Sequence, residues 1–154
     1  MKIFFQHIEH LKLFKLKNKK GFTLIELLIV IAVLGILVGI AVPLYLGERA
    51  KAMHTEAKTN LESIRLLEEQ FFANNGNYGA DGTYTYKGTY ETSDGGIEDI
   101  LPGFKPGDID SLKFSYTIVI SSNGTSFLAT ATGKAGTPVK NTSFSIDNNN
   151  VRNF

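Results

Sequence analysis

The sequence predicts an α+β protein in which a long N-terminal helix packs on a small antiparallel β-sheet. Two observations predict the helix. Residues 27–42 form an apolar run with no polar side chain, and residues 46–71 repeat apolar positions at three- and four-residue steps. A third observation predicts the sheet, because beyond residue 112 apolar and polar residues alternate between turn-forming residues, which is typical of antiparallel strands.

The composition excludes several classes of protein. A chain of 154 residues suits one domain with an appendage, and 20% charged and 11% aromatic residues argue against disorder. The chain has no cysteine, so it carries no disulfide, cysteine-bound zinc or iron–sulfur cluster. A net charge of +1 does not indicate a nucleic-acid-binding domain, which is normally basic.

The charge is divided unequally along the chain. Residues 1–20 hold six lysines and one acidic residue, whereas residues 22–154 hold ten basic and fourteen acidic side chains. A basic leader on an acidic body predicts separate roles for the two parts.

Residues 22–46 are long enough and apolar enough to cross a membrane. As a helix they would span roughly 37 Å, compared with about 30 Å for a bilayer core. The preceding lysines should hold the N-terminal side in the cytoplasm. A secretory signal peptide would have a shorter apolar core and small residues at its cleavage site, where this chain has Pro43-Leu44-Tyr45-Leu46.

Glu26 is the only charged residue between Lys20 and Glu48. An unpaired carboxylate in an apolar membrane segment costs several kcal/mol, so it is a functional candidate that a plain anchor helix does not explain. Cleavage between Gly21 and Phe22 would create an α-amino group that could pair with Glu26 of the same or a neighbouring subunit. Because breaking a buried ion pair is expensive, such a pair would set the register between subunits.

Residues 19–27, Lys-Lys-Gly-Phe-Thr-Leu-Ile-Glu-Leu, resemble the processing and assembly signature of type IV pilins and the related pseudopilins. The resemblance implies that a prepilin peptidase cuts between Gly21 and Phe22 and methylates the new amino group of Phe22. It also implies that Glu26, with Thr23 beside it, aligns incoming subunits.

The segment Thr55–Leu61 resembles major pilins of the type IVa class, although the 21-residue leader is longer than is usual for that class. The resemblance implies a pilin fold with five segments. They are a cleaved cytoplasmic leader at 1–21, a transmembrane and assembly helix at 22–46, an amphipathic helix at 47–76, an αβ-loop at 77–112 and the antiparallel sheet of the globular head at 113–154.

Three residues weaken the apolar part of the predicted helix. Gly35 and Gly39 each cost about 1 kcal/mol relative to Ala, and Pro43 removes a backbone hydrogen bond. Glycine and proline also serve routinely in transmembrane packing, and for Gly35 alone the two interpretations stay open. For the whole stretch the resemblance favours a kink or local melting.

The helix should continue to the stop signal Asn74-Asn75-Gly76, giving about 52 residues. Its apolar stripe consists of Leu46, Ala50, Met53, Ala57, Leu61, Ile64, Leu67 and Phe71.

The remaining elements are shorter. Residues 83–86 predict a weak strand, and residues 97–101 a helical turn. Residues 113–120 and 126–132 predict a hairpin around the turn at 122–125, and residues 142–147 a further strand.

No catalytic motif, bound metal or cofactor is expected. His54 is predicted to be a solvated surface residue. The loop acids are predicted to form a solvated face rather than a calcium site; they are Asp94, Glu98, Asp99, Asp108 and Asp110. The tyrosines of residues 78–90 fit an adhesive surface, a contact between subunits or a strand face equally well.

The resemblance therefore implies a structural subunit, not an enzyme, that leaves the inner membrane to join a helical filament on the cell surface. Its partners would be copies of itself, prepilin peptidase, the pilus assembly machinery and, before assembly, the membrane. The polymer would serve adhesion, twitching motility and DNA uptake, although the charge gives no indication of direct DNA binding. The alternative is a pseudopilin of a type II secretion system, whose calcium loop finds no convincing copy in residues 133–150. A remote alternative is a membrane-anchored binding module.

Overall fold

The computed structural model describes residues 21–88 and 95–154, so the predictions for residues 1–20 and 89–94 lie outside the described residues. The chain divides into two compact units, Met1–Val42 and Pro43–Phe154. The elements are helix α1 (Leu24–Asn75), β1 (Gly82–Thr85), α2 (Ile97–Ile100), β2 (Phe114–Ser121), β3 (Ser126–Gly133) and β4 (Ser143–Asp147).

The predicted long helix is confirmed, with 52 residues in α1. The helix ends where the sequence predicts. Gly76 follows its last residue with a φ of 76°, and the Gly76 N–H donates to the Phe72 carbonyl at 2.7 Å. A left-handed glycine after the last helical residue is a common way to satisfy the final carbonyl groups.

In the second unit, one face of α1 forms a wall of the core. Its buried residues are Met53, Ala57, Leu61, Ile64 and Glu68. The predicted stripe is thus confirmed in its middle, holds in part at its C-terminal end, where Leu67 and Phe71 are partly buried against the core, and is wrong at Leu46. Leu46 is 53% exposed, and Leu67 is only partly buried. The step of four from Ile64 keeps Glu68 on the buried face, whereas Leu67 lies beside that face.

The four strands form one antiparallel sheet in the order β1-β2-β3-β4. The central hairpin joins Ser121 to Ser126, as the alternation predicts, and the strand ends differ from the predicted ones by one residue. The hairpin turn contains Ser122, Asn123 and Gly124, all with positive φ. Asparagine and glycine tolerate this conformation best, which explains why the strand pattern breaks here.

The inward side chains of the sheet are largely apolar or aromatic and meet the buried face of α1. Tyr116 is an exception with a polar tip, and its hydroxyl accepts a hydrogen bond from Asn60 Nδ2 at 2.7 Å. Burial raises the pKa of Tyr116 to about 12, so its hydroxyl stays neutral. The contact ties the middle of α1 to the central strand β2.

The loop after α1 is fastened to the hairpin turn. The Asp81 carboxylate accepts the N–H groups of Asn123 and Gly124 at 3.1 and 2.9 Å, and the Tyr78 N–H donates to the Gly124 carbonyl at 2.8 Å. A Cβ on Gly124 would lie 2.5 Å from the Gly79 carbonyl oxygen, so this close approach requires glycine.

The C-terminal residues are held against α1 and β4. Arg152 forms an ion pair with Glu62, and Lys58 Nζ lies 5.5 Å from the centre of the Phe154 ring. The Asn153 N–H donates to the Ser145 carbonyl at 3.3 Å. These contacts fix the chain end without a covalent cross-link.

Candidate functional site

Thr23 and Glu26 form a reciprocal pair at the start of α1. The N–H and the hydroxyl of Thr23 donate to Glu26 Oε2 at 2.8 and 2.7 Å, and the Glu26 N–H donates to Thr23 Oγ1 at 3.2 Å. This is a capping box, which satisfies N–H groups that the first helical turn would otherwise leave unpaired. The spacing Thr-x-x-Glu is its sequence signal. The two residues predicted to act in assembly are thus in direct contact.

Gly21 and Phe22 lie just outside the helix. A Cβ on Gly21 would meet nothing within 4 Å, so the described fold does not require glycine there. Phe22 is 87% exposed. In a chain beginning at Phe22, the α-amino group would belong to the residue next to Thr23, whose own N–H already donates to Glu26. The proposed amine would therefore arise close to the carboxylate.

The first unit exposes an unusually apolar surface. Every large apolar side chain from Phe22 to Val42 is at least 47% exposed. Soluble monomers rarely expose apolar patches of this size, because water penalises the exposed area. Helix α1 is also long and apolar enough to cross a bilayer, by length and composition alone. The segment therefore needs lipid or other protein around it.

The residues predicted to weaken the helix are all helical here: Gly35, Gly39 and Pro43 lie inside α1. A Cβ on either glycine would meet nothing outside the local helix backbone within 4 Å. The two glycines thus cost helix stability without serving a contact among the described residues. Whether this stretch kinks or melts in an assembly stays a prediction.

The prediction that His54 is a solvated surface residue is wrong. Its half-buried ring packs edge-on against Phe144 and Phe114, with ring centres 5.4 and 6.4 Å apart. The two phenylalanines come from distant strands, so only the tertiary fold brings them to this helix position. Such edge-on aromatic contacts stabilise a core.

The loop acids do not form one solvated face. Asp99, Asp108 and Asp110 are exposed as predicted, whereas Glu98 is buried and Asp94 lies outside the described residues. Glu98 Oε1 accepts the N–H of Lys87 at 2.8 Å and that of Gly88, which explains its burial. Within residues 21–88 and 95–154, no group of three potential metal-ligating side chains occurs.

Two of the loop tyrosines belong to the core. Tyr78 and Tyr86 are buried, and Tyr84 is partly buried against the core. The Tyr78 ring lies between Phe72 and Phe127, at centre distances of 4.7 and 4.9 Å. Tyr90 lies outside the described residues. Packing therefore explains Tyr78 and Tyr86 without an adhesive role.

Glu68 is a buried carboxyl that the sequence pattern did not predict. It is fully buried, and neither carboxylate oxygen has a hydrogen-bond partner among the described residues. Burial, helped by the charge of neighbouring Glu69, raises the pKa of Glu68 to about 8. A four-residue step from Ile64 was the only signal in the sequence for this position.

Comparison with known proteins identifies the N-terminal segment. The family described as "Prokaryotic N-terminal methylation motif" matches residues 16–42, which include Gly21, Phe22 and Glu26. No solved structure matches the chain significantly.

Several curated proteins are similar to part of the chain. The type IV major pilin protein PilA of Myxococcus xanthus is 44% identical over 61 residues, which are 40% of this chain and 28% of that protein. The fimbrial protein EcpB of Eikenella corrodens is 48% identical over 59 residues, covering 38% and 37%. The type IV major pilin protein PilE of Neisseria gonorrhoeae is 42% identical over 65 residues, covering 42% and 39%.

The chain thus spans between about a quarter and two fifths of the length of these relatives. The motif match and the relatives both indicate a pilin-like N-terminal segment. The long helix followed by a small antiparallel sheet is consistent with this likeness. The N-terminal part of the chain is therefore similar to type IV major pilins and matches the prokaryotic N-terminal methylation motif.

Proposed function

We propose that the chain is the structural subunit of a type IV pilus. The observation that carries the proposal is the exposed apolar stretch from Phe22 to Val42, interrupted by the single carboxylate of Glu26. Lipid can cover this stretch before assembly, and the same stretch of other copies can cover it afterwards. Repeated contacts of this kind between unlike surfaces build a filament when the rotation between copies does not close into a ring.

Prepilin peptidase cuts the precursor between Gly21 and Phe22 and methylates the new amino group of Phe22. The motif match across this site supports the step. The exposure of Phe22 and the open space around Gly21 support it as well, because a peptidase needs access to both residues.

Glu26 sets the register of the assembling subunits. Its carboxylate is already bound by the residue that follows Phe22, so an amine created by cleavage would need little movement to reach it. A neighbouring subunit can offer the same amine. A subunit out of register would leave both charges buried and unpaired, which is strongly unfavourable.

The stretch from Gly35 to Pro43 provides local freedom in the filament. Each of its two glycines lowers helix stability by about 1 kcal/mol, and Pro43 removes a backbone hydrogen bond. The absence of other contacts to Gly35 and Gly39 among the described residues supports a role that appears only in the polymer.

The precursor spans the inner membrane once with its lysine-rich end in the cytoplasm, and the mature subunit ends in a filament on the cell surface. The pilus assembly machinery moves it from one place to the other. Adhesion, twitching motility and DNA uptake are roles of the polymer. The names of the relatives, which are major pilins and fimbrial proteins, favour a pilus over a secretion pseudopilus.

Filaments sheared from the cell surface test the proposal. Electron microscopy should show long thin filaments, and mass spectrometry should show a subunit that begins at Phe22 and is one methyl group heavier than its sequence. A Gly21→Ala variant should accumulate as uncut precursor in the membrane, while Gly47→Ala, another change in open space, should be processed normally. Assembled subunits that still begin at Met1 would refute the processing step.

A further inference from the structure

Glu68 occupies a position in the core where the neighbouring buried side chains of α1 are apolar. It lies on the buried face of α1 in line with Leu61 and Ile64, and its side chain is fully buried. Neither oxygen of its carboxyl has a hydrogen-bond partner among residues 21–88 and 95–154. Most buried polar groups in proteins are hydrogen-bonded, so an orphaned carboxyl at a helix–sheet interface needs an explanation.

The charged and titratable groups around Glu68 do not neutralise an ionised carboxylate. On α1 the adjacent Glu69 adds negative charge, and on the following loop the Tyr78 hydroxyl is neutral and donates to Glu69 at 3.4 Å. Arg65 lies one turn earlier, where its Nε is 3.7 Å from Glu62 Oε2, and it neither hydrogen-bonds to Glu68 nor forms an ion pair with it among the described residues. The buried side chains that the sheet contributes to the same core carry no charge. A carboxylate here would therefore be both desolvated and without a counter-ion.

The neutral acid can remain in this position, whereas the ion cannot remain without cost. As a neutral group Glu68 is desolvated at the smaller cost of an uncharged polar side chain, and it lies on the same buried face of α1 as Ile64. An ionised Glu68 must instead reach water, which requires the last turns of α1 to part from the sheet. Next to Glu68, the ring stack Phe72–Tyr78–Phe127 bridges this part of the helix to β3.

We propose that Glu68 is a proton-dependent latch that closes the C-terminal part of α1 onto the β-sheet when protonated and releases it when ionised. The released part comprises the turns around Glu68 and the loop that carries Tyr78. The latch belongs to the second unit alone and does not depend on how the N-terminus is processed or assembled.

The direction of the pH dependence follows from the two states of the carboxyl. The ordinary pKa of the group is 4.5, and burial raises it to about 8 in the folded chain. The folded state thus holds a proton that the unfolded state has lost between these values. The stability that the neutral carboxyl gives is fully present below the lower value and is lost as the pH rises through the upper one.

Thermal unfolding of the full chain in detergent micelles tests the latch. The unfolding midpoint of the unchanged chain should fall as the pH rises from about 5 to about 9. In the Glu68→Gln variant, which keeps the shape but cannot ionise, the midpoint should change much less over this range. The Glu69→Gln variant removes the same charge one residue away, and it should retain most of the pH dependence.

A second measurement does not depend on any variant. Carbon-13 NMR of labelled glutamate side chains should show one carboxyl that titrates well above the others, with amides near residues 68–78 losing protection from hydrogen exchange over the same pH range. A Glu68 carboxyl that titrates near its ordinary pKa would overturn the latch. An equal pH slope in the Glu68→Gln variant and the unchanged chain would also overturn it.

Discussion

The hydroxyl of Thr23 donates a 2.7 Å hydrogen bond to the carboxylate of Glu26. The carboxylate therefore has a structural task, which is to cap α1, in addition to the assembly role proposed for its charge. The two tasks can be separated, because a glutamine side chain can accept the same hydrogen bonds without being charged.

Glu26→Gln should insert into the membrane normally but assemble few or no filaments, since the cap is kept and the partner of the Phe22 amine is lost. Glu26→Ala should behave in the same way. Counts of filaments by electron microscopy and the amount of subunit in membrane fractions measure the two outcomes.

Thr23→Ala provides the complementary change. It removes a capping hydroxyl worth about 1 kcal/mol of helix stability but leaves the charge of Glu26, so filaments should be reduced and not abolished. If Glu26→Gln assembled normally while Thr23→Ala did not, the cap and not the charge would govern assembly.

Gly133→Ala should destabilise the head by about 1–3 kcal/mol, in the range for overpacking. A Cβ at Gly133 would overlap the Val139 carbonyl group, so the backbone on one side must move. Gly47→Ala is the matched control, because an added Cβ there meets nothing and alanine favours the helix by up to about 1 kcal/mol. Chemical unfolding of the full chain in micelles, followed by near-ultraviolet circular dichroism, compares the two. Equal free energies of unfolding for both variants would show that the backbone at Val139 can move away from the added Cβ at little cost.

The ion pair between Glu62 and Arg152 should have a coupling energy of at most about 1 kcal/mol. The side chains are 31% and 37% exposed, so solvent weakens the attraction. A double-mutant cycle with Glu62→Ala and Arg152→Ala measures this coupling through the free energy of unfolding. The cycle with Arg65→Ala, whose Nε lies 3.7 Å from Glu62, should give a smaller value. A larger coupling energy for Arg65 than for Arg152 would mean that Arg65, and not Arg152, is the main partner of Glu62.

The sequence predicts the elements well because each depends on local chemistry. The period of the apolar residues and the signal at Asn74–Gly76 define α1, and the turn at residues 122–125 defines the central hairpin. The contact between Thr23 and Glu26 is equally local and follows from a spacing of three residues.

The sequence does not predict contacts between distant residues. The environment of His54 depends on rings from β2 and β4, and the burial of Glu98 depends on two N–H groups ten and eleven residues away. Glu68 is missed for another reason. Acidic residues normally lie on the solvent-exposed side of an amphipathic helix, so its sequence pattern does not predict that Glu68 is buried.

The C-terminal residues also protect the sheet from other sheets. The outer edge of β4 would otherwise offer free N–H and C=O groups, but Ser145 exchanges hydrogen bonds with Asn153, and Ile146 forms a bridge with Arg152. Open strand edges template the pairing of separate molecules. A chain truncated after Asn150 should therefore associate side by side through β4, with light scattering that rises with concentration, whereas the unchanged chain should keep this edge covered.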